Sequence, residues 1–292
     1  MYKHLINNAL HKQTKYAKDL NCLENAIADF LGSNSTFREP TPFILNRGKR
    51  IRSILYFMHW DNSAIIHPDV KYKTIALIEL IHFASILHDD VIDNNMVRRN
   101  SASFLSEYGA EKSIVHGDLL LVKAIDELLK LHHDNELVKN FCIRECSATA
   151  YGAILERNLT LNSSFQDCLR ASALKTASLF KLCCFLSSLI SSNDFELSKK
   201  SAIFGLCFGV LFQFQNDLDS YSSPDCRNSE DFMQKNITLP LIILRDKLHF
   251  DVSKFKSLEQ IVYNEIQTLM YSHAFQKYAE ESLNKFSRIV NT

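Results

Sequence analysis

Apolar side chains recur every three or four residues over long stretches of this chain, which is the spacing of a buried helix face. Two stretches show this most clearly, and each also carries carboxylate, amide or imidazole groups, whose burial without a partner would be costly. We therefore predict two long helices, each with a buried apolar stripe and with these polar groups on its other side. The apolar positions are Leu77, Leu80, Ile81, Ala84, Leu87 and Val91 in the first stretch, and Ile203, Cys207, Leu211, Phe214 and Leu218 in the second.

The polar breaks between the apolar stretches are short and read as loops between helices. They lie at Gly32–Thr36, Asn162–Ser164, Ser191–Asn193 and Ser222–Asp225. The 292 residues include only 7 glycines and 5 prolines, the residues that most often interrupt sheets and turns. No internal repeat or low-complexity tract is visible. We predict an all-α protein with one domain over residues 1–292.

Charge and cysteine usage exclude several classes of protein. Lys plus Arg and Asp plus Glu number 33 each, so no global field favours nucleic acid or an anionic membrane. The 8 cysteines form no CxxC pair and mostly lie in apolar runs, as reduced core cysteines do. The apolar stretch Ile203–Phe212 is about half as long as a membrane span, and the first residues lack a signal-peptide core. We expect a cytoplasmic protein without an integral membrane segment.

Three aspartates end the first apolar stretch, in the sequence His88-Asp-Asp-Val-Ile-Asp93. Asp89 and Asp93 are four residues apart, so their Cβ atoms lie about 6 Å apart on one helix face. A cation between them would relieve their repulsion, and paired hard oxygen ligands suit Mg²⁺. The alternative is a solvated helix end. His82 lies about two turns earlier on nearly the same face, where a core role is the alternative.

Basic residues form three groups that fit diphosphate recognition. They are Arg47–Arg52, Arg98-Arg99 and Lys175-Thr176. Guanidinium groups bind phosphate oxygens in pairs, and lysine adds a point charge. Each group alone would more often be a solvated surface run, so the prediction rests on their occurring beside a metal site.

Taken in order, these motifs resemble the trans-isoprenyl diphosphate synthase family from about position 43 to 242. The resemblance implies an all-α bundle of long helices around a deep central cavity, usually a homodimer, that uses Mg²⁺. It also implies condensation of isopentenyl diphosphate with an allylic diphosphate, farnesyl or geranyl diphosphate being the expected starters. The motifs are Gly48-Lys-Arg-x-Arg52, His82, His88–Asp93, Arg98-Arg99, Gly117-Asp118, Lys175-Thr176, Phe212-Gln213, Asn216-Asp217 and Thr238-Leu-Pro240.

Carried over position by position, the resemblance assigns the allylic site. Asp89 and Asp93 would bind two Mg²⁺ that bridge the allylic diphosphate, with Asp90 supporting them. Arg98 and Lys175 would hold the same diphosphate. Metal and cations would then neutralise the departing diphosphate while an apolar cavity keeps water from the carbocation.

The resemblance also assigns a metal-free isopentenyl diphosphate site and the neighbours of the reacting carbon. Thr176 and Gln213 would flank that allylic carbon and help to stabilise developing charge. No protein nucleophile is required, because the double bond of isopentenyl diphosphate attacks and a proton is then lost. The isopentenyl diphosphate site would comprise Lys49, Arg52, His82 and Arg99.

The chain departs from the family pattern in its second acidic motif, which reads Asn216-Asp217-Leu-Asp-Ser220 instead of DDxxD. Asn216 and Asp217 remain candidate ligands of a third Mg²⁺, but the amide lacks the charge of a carboxylate, so this metal should bind more weakly. The family's later lysine falls at Asn236, and Lys235 precedes it by one position. We count Lys235 among the candidate diphosphate ligands.

Small residues precede the first aspartates by about one turn and bear on product length. In this family the product grows down a tunnel beneath these aspartates, and Ala84 and Ser85 would leave its upper part open. We expect a long product of about eight isoprene units (about C40), the length of a quinone side chain, because small residues leave room in a cavity. A short-chain synthase, a class I terpene cyclase, a non-catalytic subunit of a heteromeric synthase and a helical scaffold are the alternatives.

Overall fold

The computed structural model describes residues 15–33, 35–45, 48–64, 66–98, 101–160, 162–221 and 237–248, apart from the side chains of residues 218–221, 243, 244, 247 and 248. Almost all of these residues are helical. The elements are α1 Ala17–Gly32, a 3₁₀ turn Ser35–Phe37, α2 Thr41–Leu45, α3 Ile51–His59, α4 Pro68–Ile92, β1 Val97–Arg98, β2 Ser101–Ala102, α5 Phe104–Leu131, α6 Glu136–Arg157, α7 Phe165–Ser172, a π-helical turn Ala173–Ala177, α8 Ser178–Ser192, α9 Phe195–Tyr221 and α10 Leu239–Leu248.

The chain divides into two compact units. Unit 1 comprises Met1–Ile143 and Cys183–Ser198, and unit 2 comprises Arg144–Leu182 and Lys199–Thr292. Helices α6, α8 and α9 therefore each contribute residues to both units.

Unit 1 is built around α4, which packs along α5 and against α1. Its first turn carries Pro68, whose missing N–H removes no helical hydrogen bond there, and the His67 ring accepts from the Asp69 amide at 3.3 Å. Of the six apolar positions predicted on one face of α4, five are buried and Val91 is half-buried. Burial of this face fixes the end of α4, where the three aspartates lie.

Unit 2 depends on close helix packing at small residues. A Cβ atom added at Gly205 would lie 2.5 Å from the Phe180 carbonyl oxygen, and one added at Gly209 would lie 2.5 Å from the Cα of Ala177. No side chain fits at these distances, so the two glycines let α9 approach the segment around residues 177–180. Phe180, Phe208 and Phe212 pack their rings together beside this contact.

The all-α prediction is confirmed, and both predicted long helices are present within α4 and α9. The short antiparallel hairpin of β1 and β2 was not predicted. The loop predicted at Ser222–Asp225 lies outside the described residues. The single-domain prediction remains a prediction.

The continuous helical segment Phe165–Ser192 is long and apolar enough to cross a membrane by length and composition alone. It is longer than the apolar stretch Ile203–Phe212, on which the expectation of no membrane segment was based. Within the described residues, 78% of the apolar window in Phe165–Ser192 is buried inside the protein, as in a core helix.

Candidate active site

The first acidic segment, Asp89–Asp93, closes α4. The Asp93 amide donates to the Asp89 carbonyl at 2.8 Å, so the helical turn is intact up to this residue. Asp89 is half-buried and Asp93 is exposed. The carboxyl end of a helix carries partial negative charge, which disfavours carboxylates and favours cations. Two carboxylates held on this turn are therefore suited to a divalent metal rather than to stabilising the helix.

Asp90 of the same segment faces inward and pairs with Arg98. Its side chain is only 3% exposed, and Arg98 Nε donates to both carboxylate oxygens at 3.0 and 3.1 Å, with a second nitrogen at 2.5 Å. The Asn95 amide also donates to the Asp90 backbone carbonyl at 2.8 Å. Arg98 on β1 thus folds back on the helix end and fixes it. The supporting role of Asp90 beside Asp89 and Asp93 remains a prediction.

His88 and Asp118 form a second contact at the end of α4. His88 Nε2 lies 3.2 Å from Asp118 Oδ1 and 3.3 Å from the Ile114 carbonyl oxygen. The imidazole occupies the space where a Cβ atom at Gly117 would lie, 2.4 Å from Nε2. The Gly117-Asp118 motif therefore contacts His88, which belongs to the motif His88–Asp93 but was given no role of its own from the sequence.

The residues one to two turns before Asp89 differ in their exposure. Ala84 is fully buried, Ser85 and His82 are half-buried, and the Ser85 hydroxyl donates to the His82 carbonyl at 2.7 Å. Of the two positions predicted to control product length, only Ser85 reaches a solvent-accessible surface. His82 has a partly accessible side chain, as a ligand-binding role requires.

The basic residues around the start of α3 differ in backbone conformation, in partners and in exposure. Arg50 adopts a left-handed conformation with φ 45° at the start of α3, and its guanidinium binds Glu24 at 2.9 Å and Glu79 at 3.2 Å. Arg50 is therefore committed to a buried ion-pair network, whereas Lys49 is exposed. Arg52 is half-buried, and burial lowers its pKa while the Glu79 carboxylate opposes that change.

Lys175 lies in unit 2 on the π-helical turn Ala173–Ala177. Such turns widen a helix locally and occur frequently at functional sites. Its ammonium group binds Glu156 Oε2 of α6 at 2.5 Å, and both side chains are partly exposed. The two segments touch at Gly152, where an added Cβ would lie 2.1 Å from the Lys175 backbone nitrogen. Glu156 lies one helical turn after this glycine, and the sequence analysis missed it.

The second acidic segment, Asn216–Ser220 on α9, is linked to the same turn by hydrogen bonds. The Thr176 hydroxyl donates to Gln213 Oε1 at 3.0 Å, and Gln213 Nε2 donates to Asp217 Oδ1 at 2.7 Å. Burial raises the pKa of Asp217 to about 8, with the Glu156 charge adding to that effect and Gln213 and Lys175 opposing it. Asn216 is exposed. Thr176, Gln213 and Asp217 therefore form one connected polar group.

Two of the predicted site residues, Arg99 and Lys235, lie outside the described residues. Among the residues that are described, no three His, Cys, Asp or Glu side chains form a complete metal site.

A family model described as polyprenyl synthetase matches residues 34–275. The chain belongs to the polyprenyl synthetase family. This confirms the resemblance drawn from the ordered motifs, over a range that includes both acidic segments and the π-helical turn.

Among curated relatives, the decaprenyl-diphosphate synthase of Dictyostelium discoideum is 28% identical over 81% of this chain and 54% of its own length. Heptaprenyl diphosphate synthase component 2 of Bacillus subtilis is 25% identical over 67% of this chain and 57% of its own length. The chain thus spans little more than half the length of these relatives.

The solved structure of a polyprenyl synthase from Caulobacter crescentus, complexed with calcium and isoprenyl diphosphate, matches with a TM-score of 0.69. The two chains are 22% identical, and the match covers 96% of this chain and 88% of the other. At this identity the match establishes the shared fold.

Proposed function

We propose that this protein is a Mg²⁺-dependent trans-prenyltransferase that condenses isopentenyl diphosphate with an allylic diphosphate, farnesyl or geranyl diphosphate, to give a polyprenyl diphosphate. The observation that carries the proposal is the placement of Asp89 and Asp93 on one turn at the carboxyl end of α4, with Asp90 fixed beneath them by Arg98. Membership of the polyprenyl synthetase family supports prenyl transfer as the reaction at this turn.

The residues present fit the metal that the family implies. Asp89 and Asp93 supply paired hard oxygen ligands, and Asn216 with Asp217 supply an amide and a carboxylate for a further ion, which makes two to three in all. When bound, Mg²⁺ neutralises charge on the departing diphosphate. The Caulobacter polyprenyl synthase is complexed with calcium and isoprenyl diphosphate, which supports the proposal that this protein also uses a divalent metal.

Side chains of this chain would orient the two substrates and stabilise the separating charges. Lys175 and Arg98 would hold the allylic diphosphate, and as its carbon–oxygen bond breaks, the Thr176 hydroxyl and the Gln213 carbonyl oxygen would lie near the cationic carbon. The double bond of isopentenyl diphosphate would form the new carbon–carbon bond, and the proton lost would leave with the released diphosphate. Preorganised dipoles of this kind supply much of an enzyme's rate enhancement.

Lys49, Arg52 and His82 would hold the diphosphate of the second substrate, without a metal. Their side chains are exposed or half-buried, and Arg99 would join them. A class I terpene cyclase needs no such site. Formation of product without isopentenyl diphosphate would therefore favour the cyclase.

One assay tests the reaction. The purified protein is incubated with Mg²⁺, isopentenyl diphosphate and dimethylallyl, geranyl or farnesyl diphosphate in turn, and the products are sized by mass spectrometry. We expect a long product of about C40, since Ser85 leaves space at the accessible face of α4. The decaprenyl and heptaprenyl relatives support a long chain rather than a farnesyl product.

Product length is tested at the two small residues. Ser85→Phe is expected to shorten the product because Ser85 is accessible, whereas Ala84→Tyr introduces a large ring into a fully buried position. An unchanged product from a folded Ser85→Phe protein would reject the tunnel assignment.

We further propose a cytoplasmic homodimer. A heteromeric assembly is the second candidate, because the relative from Bacillus subtilis is named as a component of a synthase. Turnover by the purified chain alone, with its mass in solution measured in parallel, distinguishes these assemblies.

A further inference from the structure

Two Lys–Glu ion pairs within unit 2 join α6 to the continuous helical segment formed by α7, the π-helical turn and α8. Lys175 and Glu156 lie 2.5 Å apart, with 17% and 31% of their side chains exposed. Lys181 and Glu145 lie 2.9 Å apart, with only 8% and 3% exposed, and Arg144 binds the same carboxylate at 2.7 Å. The chemistry is the same, but one pair is accessible and the other is enclosed.

The enclosed pair has the features of a structural contact. Glu145 neutralises two cations, and burial lowers the pKa of Lys181 against the opposing effect of Glu145. Releasing Lys181 to a ligand would leave a buried carboxylate with less compensation, at a large desolvation penalty.

The Lys175–Glu156 pair differs from the enclosed pair in its exposure to solvent. Lys175 and Glu156 are each reached by solvent, so separating them costs far less. The close contact at Gly152 and the π-helical turn hold the two backbones together, which keeps Glu156 beside Lys175 whichever partner the ammonium group takes. The Glu156 charge also raises the pKa of Asp217, so Glu156 interacts electrostatically with the second acidic segment.

We infer that Glu156 is an exchangeable counter-ion of Lys175, which holds the ammonium group in place between turnovers and yields it to the diphosphate of the allylic substrate. This inference rests on the proposed function for the identity of the ligand. Glu156 is a positioning residue, since it acts through Lys175. Its physical effect is to lower ground-state affinity for diphosphate and so to favour release of inorganic pyrophosphate after each condensation.

The test is Glu156→Gln, which keeps a hydrogen-bond acceptor for Lys175 but removes the competing charge. Affinity for inorganic pyrophosphate in the presence of Mg²⁺ is measured by titration calorimetry on the full chain. Freeing the Lys175 ammonium group from a competing carboxylate in a partly solvated site should tighten binding by about three- to tenfold. The KM for the allylic diphosphate should fall by a similar factor, and the KM for isopentenyl diphosphate should not change.

Matched controls separate this role from a structural one. Glu145→Gln makes the same change at the enclosed pair and should lower the thermal midpoint without tightening pyrophosphate binding. Because that variant risks unfolding, Glu127→Gln, which alters the exposed ion pair with Lys130, provides a second control. A merely structural Glu156 would resemble one of these controls.

A double-mutant cycle with Lys175→Met tests whether Glu156 acts through the lysine. The gain in pyrophosphate affinity from Glu156→Gln should shrink when Lys175 is already absent. A gain of the same size in both backgrounds, or unchanged affinity in a folded Glu156→Gln protein, would overturn the inference. Wild-type protein that binds Mg²⁺ and pyrophosphate but forms no product would refute the proposed function alone.

Discussion

Among the described side chains, each of the two acidic segments buries one aspartate, and the two aspartates differ in what surrounds them. In the first segment, Asp90 meets the Arg98 guanidinium at three distances between 2.5 and 3.1 Å. In the second, Asp217 accepts from the neutral Gln213 amide at 2.7 Å, and burial raises its pKa to about 8. The neighbouring candidate ligands differ as well, since Asp89 and Asp93 are carboxylates and Asn216 is an amide.

This difference indicates that the first segment is better preorganised to bind a metal ion than the second. The first has its buried charge already compensated, so Asp89 and Asp93 can receive a cation without rearranging the helix end. The second holds a buried carboxyl group that favours its proton until a cation approaches. We therefore expect the first segment to set the rate of the reaction and the second to adjust its metal requirement.

The largest effect should follow from removing the two candidate metal-binding carboxylates of the first segment. Asp89→Ala combined with Asp93→Ala should reduce turnover on the order of a thousandfold, because the diphosphate loses its metal-mediated charge stabilisation. Steady-state assays with Mg²⁺ and both substrates measure this loss. The thermal midpoint should not fall, since carboxylates at the end of a helix repel its dipole. Intact turnover would remove the basis of the proposed function.

The compensation of Asp90 is tested by Arg98→Met. Loss of the guanidinium leaves the buried Asp90 carboxylate without its bidentate partner, which should lower the free energy of unfolding by about 2 to 3 kcal/mol. This is less than for a fully buried pair, because Arg98 is partly exposed. Urea unfolding measures the change. Adding Asp90→Asn should recover part of the loss. Wild-type stability of Arg98→Met alone would show that the pair does not fix the end of α4.

Much of the first segment could be predicted from the sequence because its chemistry is local. The apolar spacing of α4 and the four-residue interval between Asp89 and Asp93 place both carboxylates on one face. The pairing of Asp90 with Arg98 depends on a hairpin of two short strands, which are too short to produce a clear period in the sequence.

The contacts of the second unit depend on pairing between distant helices. Glu156 precedes Lys175 by 19 residues, and their meeting depends on the close approach at Gly152 and on the π-helical turn. A charged residue one turn after a glycine in an apolar helix was the available signal, and it is weak. Likewise, the sequence does not show that Arg50 has a left-handed backbone and pairs with buried carboxylates while Lys49 is exposed.

The burial of Asp217, which raises the pKa of its carboxyl group, predicts a pH-dependent stability in metal-free protein. The unfolded carboxyl group releases its proton near 3.8, whereas the folded one retains it up to about 8. Wild-type protein should therefore lose stability as the pH rises through this window, by on the order of a few kcal/mol. Asp217→Asn removes the titration and keeps an acceptor for Gln213.

Urea unfolding of both proteins in chelator, from pH 5 to pH 9, tests this expectation. The stability advantage of Asp217→Asn should widen up to about pH 8 and then level off, because the folded carboxyl group is ionised above its raised pKa. An advantage that is constant across the range would contradict the assignment of a raised pKa to this residue.

The smallest effect is expected from giving the second segment a carboxylate at its first position. Asn216→Asp should lower the Mg²⁺ concentration for half-maximal turnover by about threefold to tenfold, because a carboxylate adds a charge term that the amide lacks. The matched control is Asn162→Asp, which adds the same charge at an exposed loop position and should leave the requirement unchanged. The two acidic segments would then differ less, and the variant would depend less on magnesium supply. If Asn216→Asp and Asn162→Asp behave alike, the second segment takes no part in metal binding, and the ligands of any third ion must be sought elsewhere in the chain.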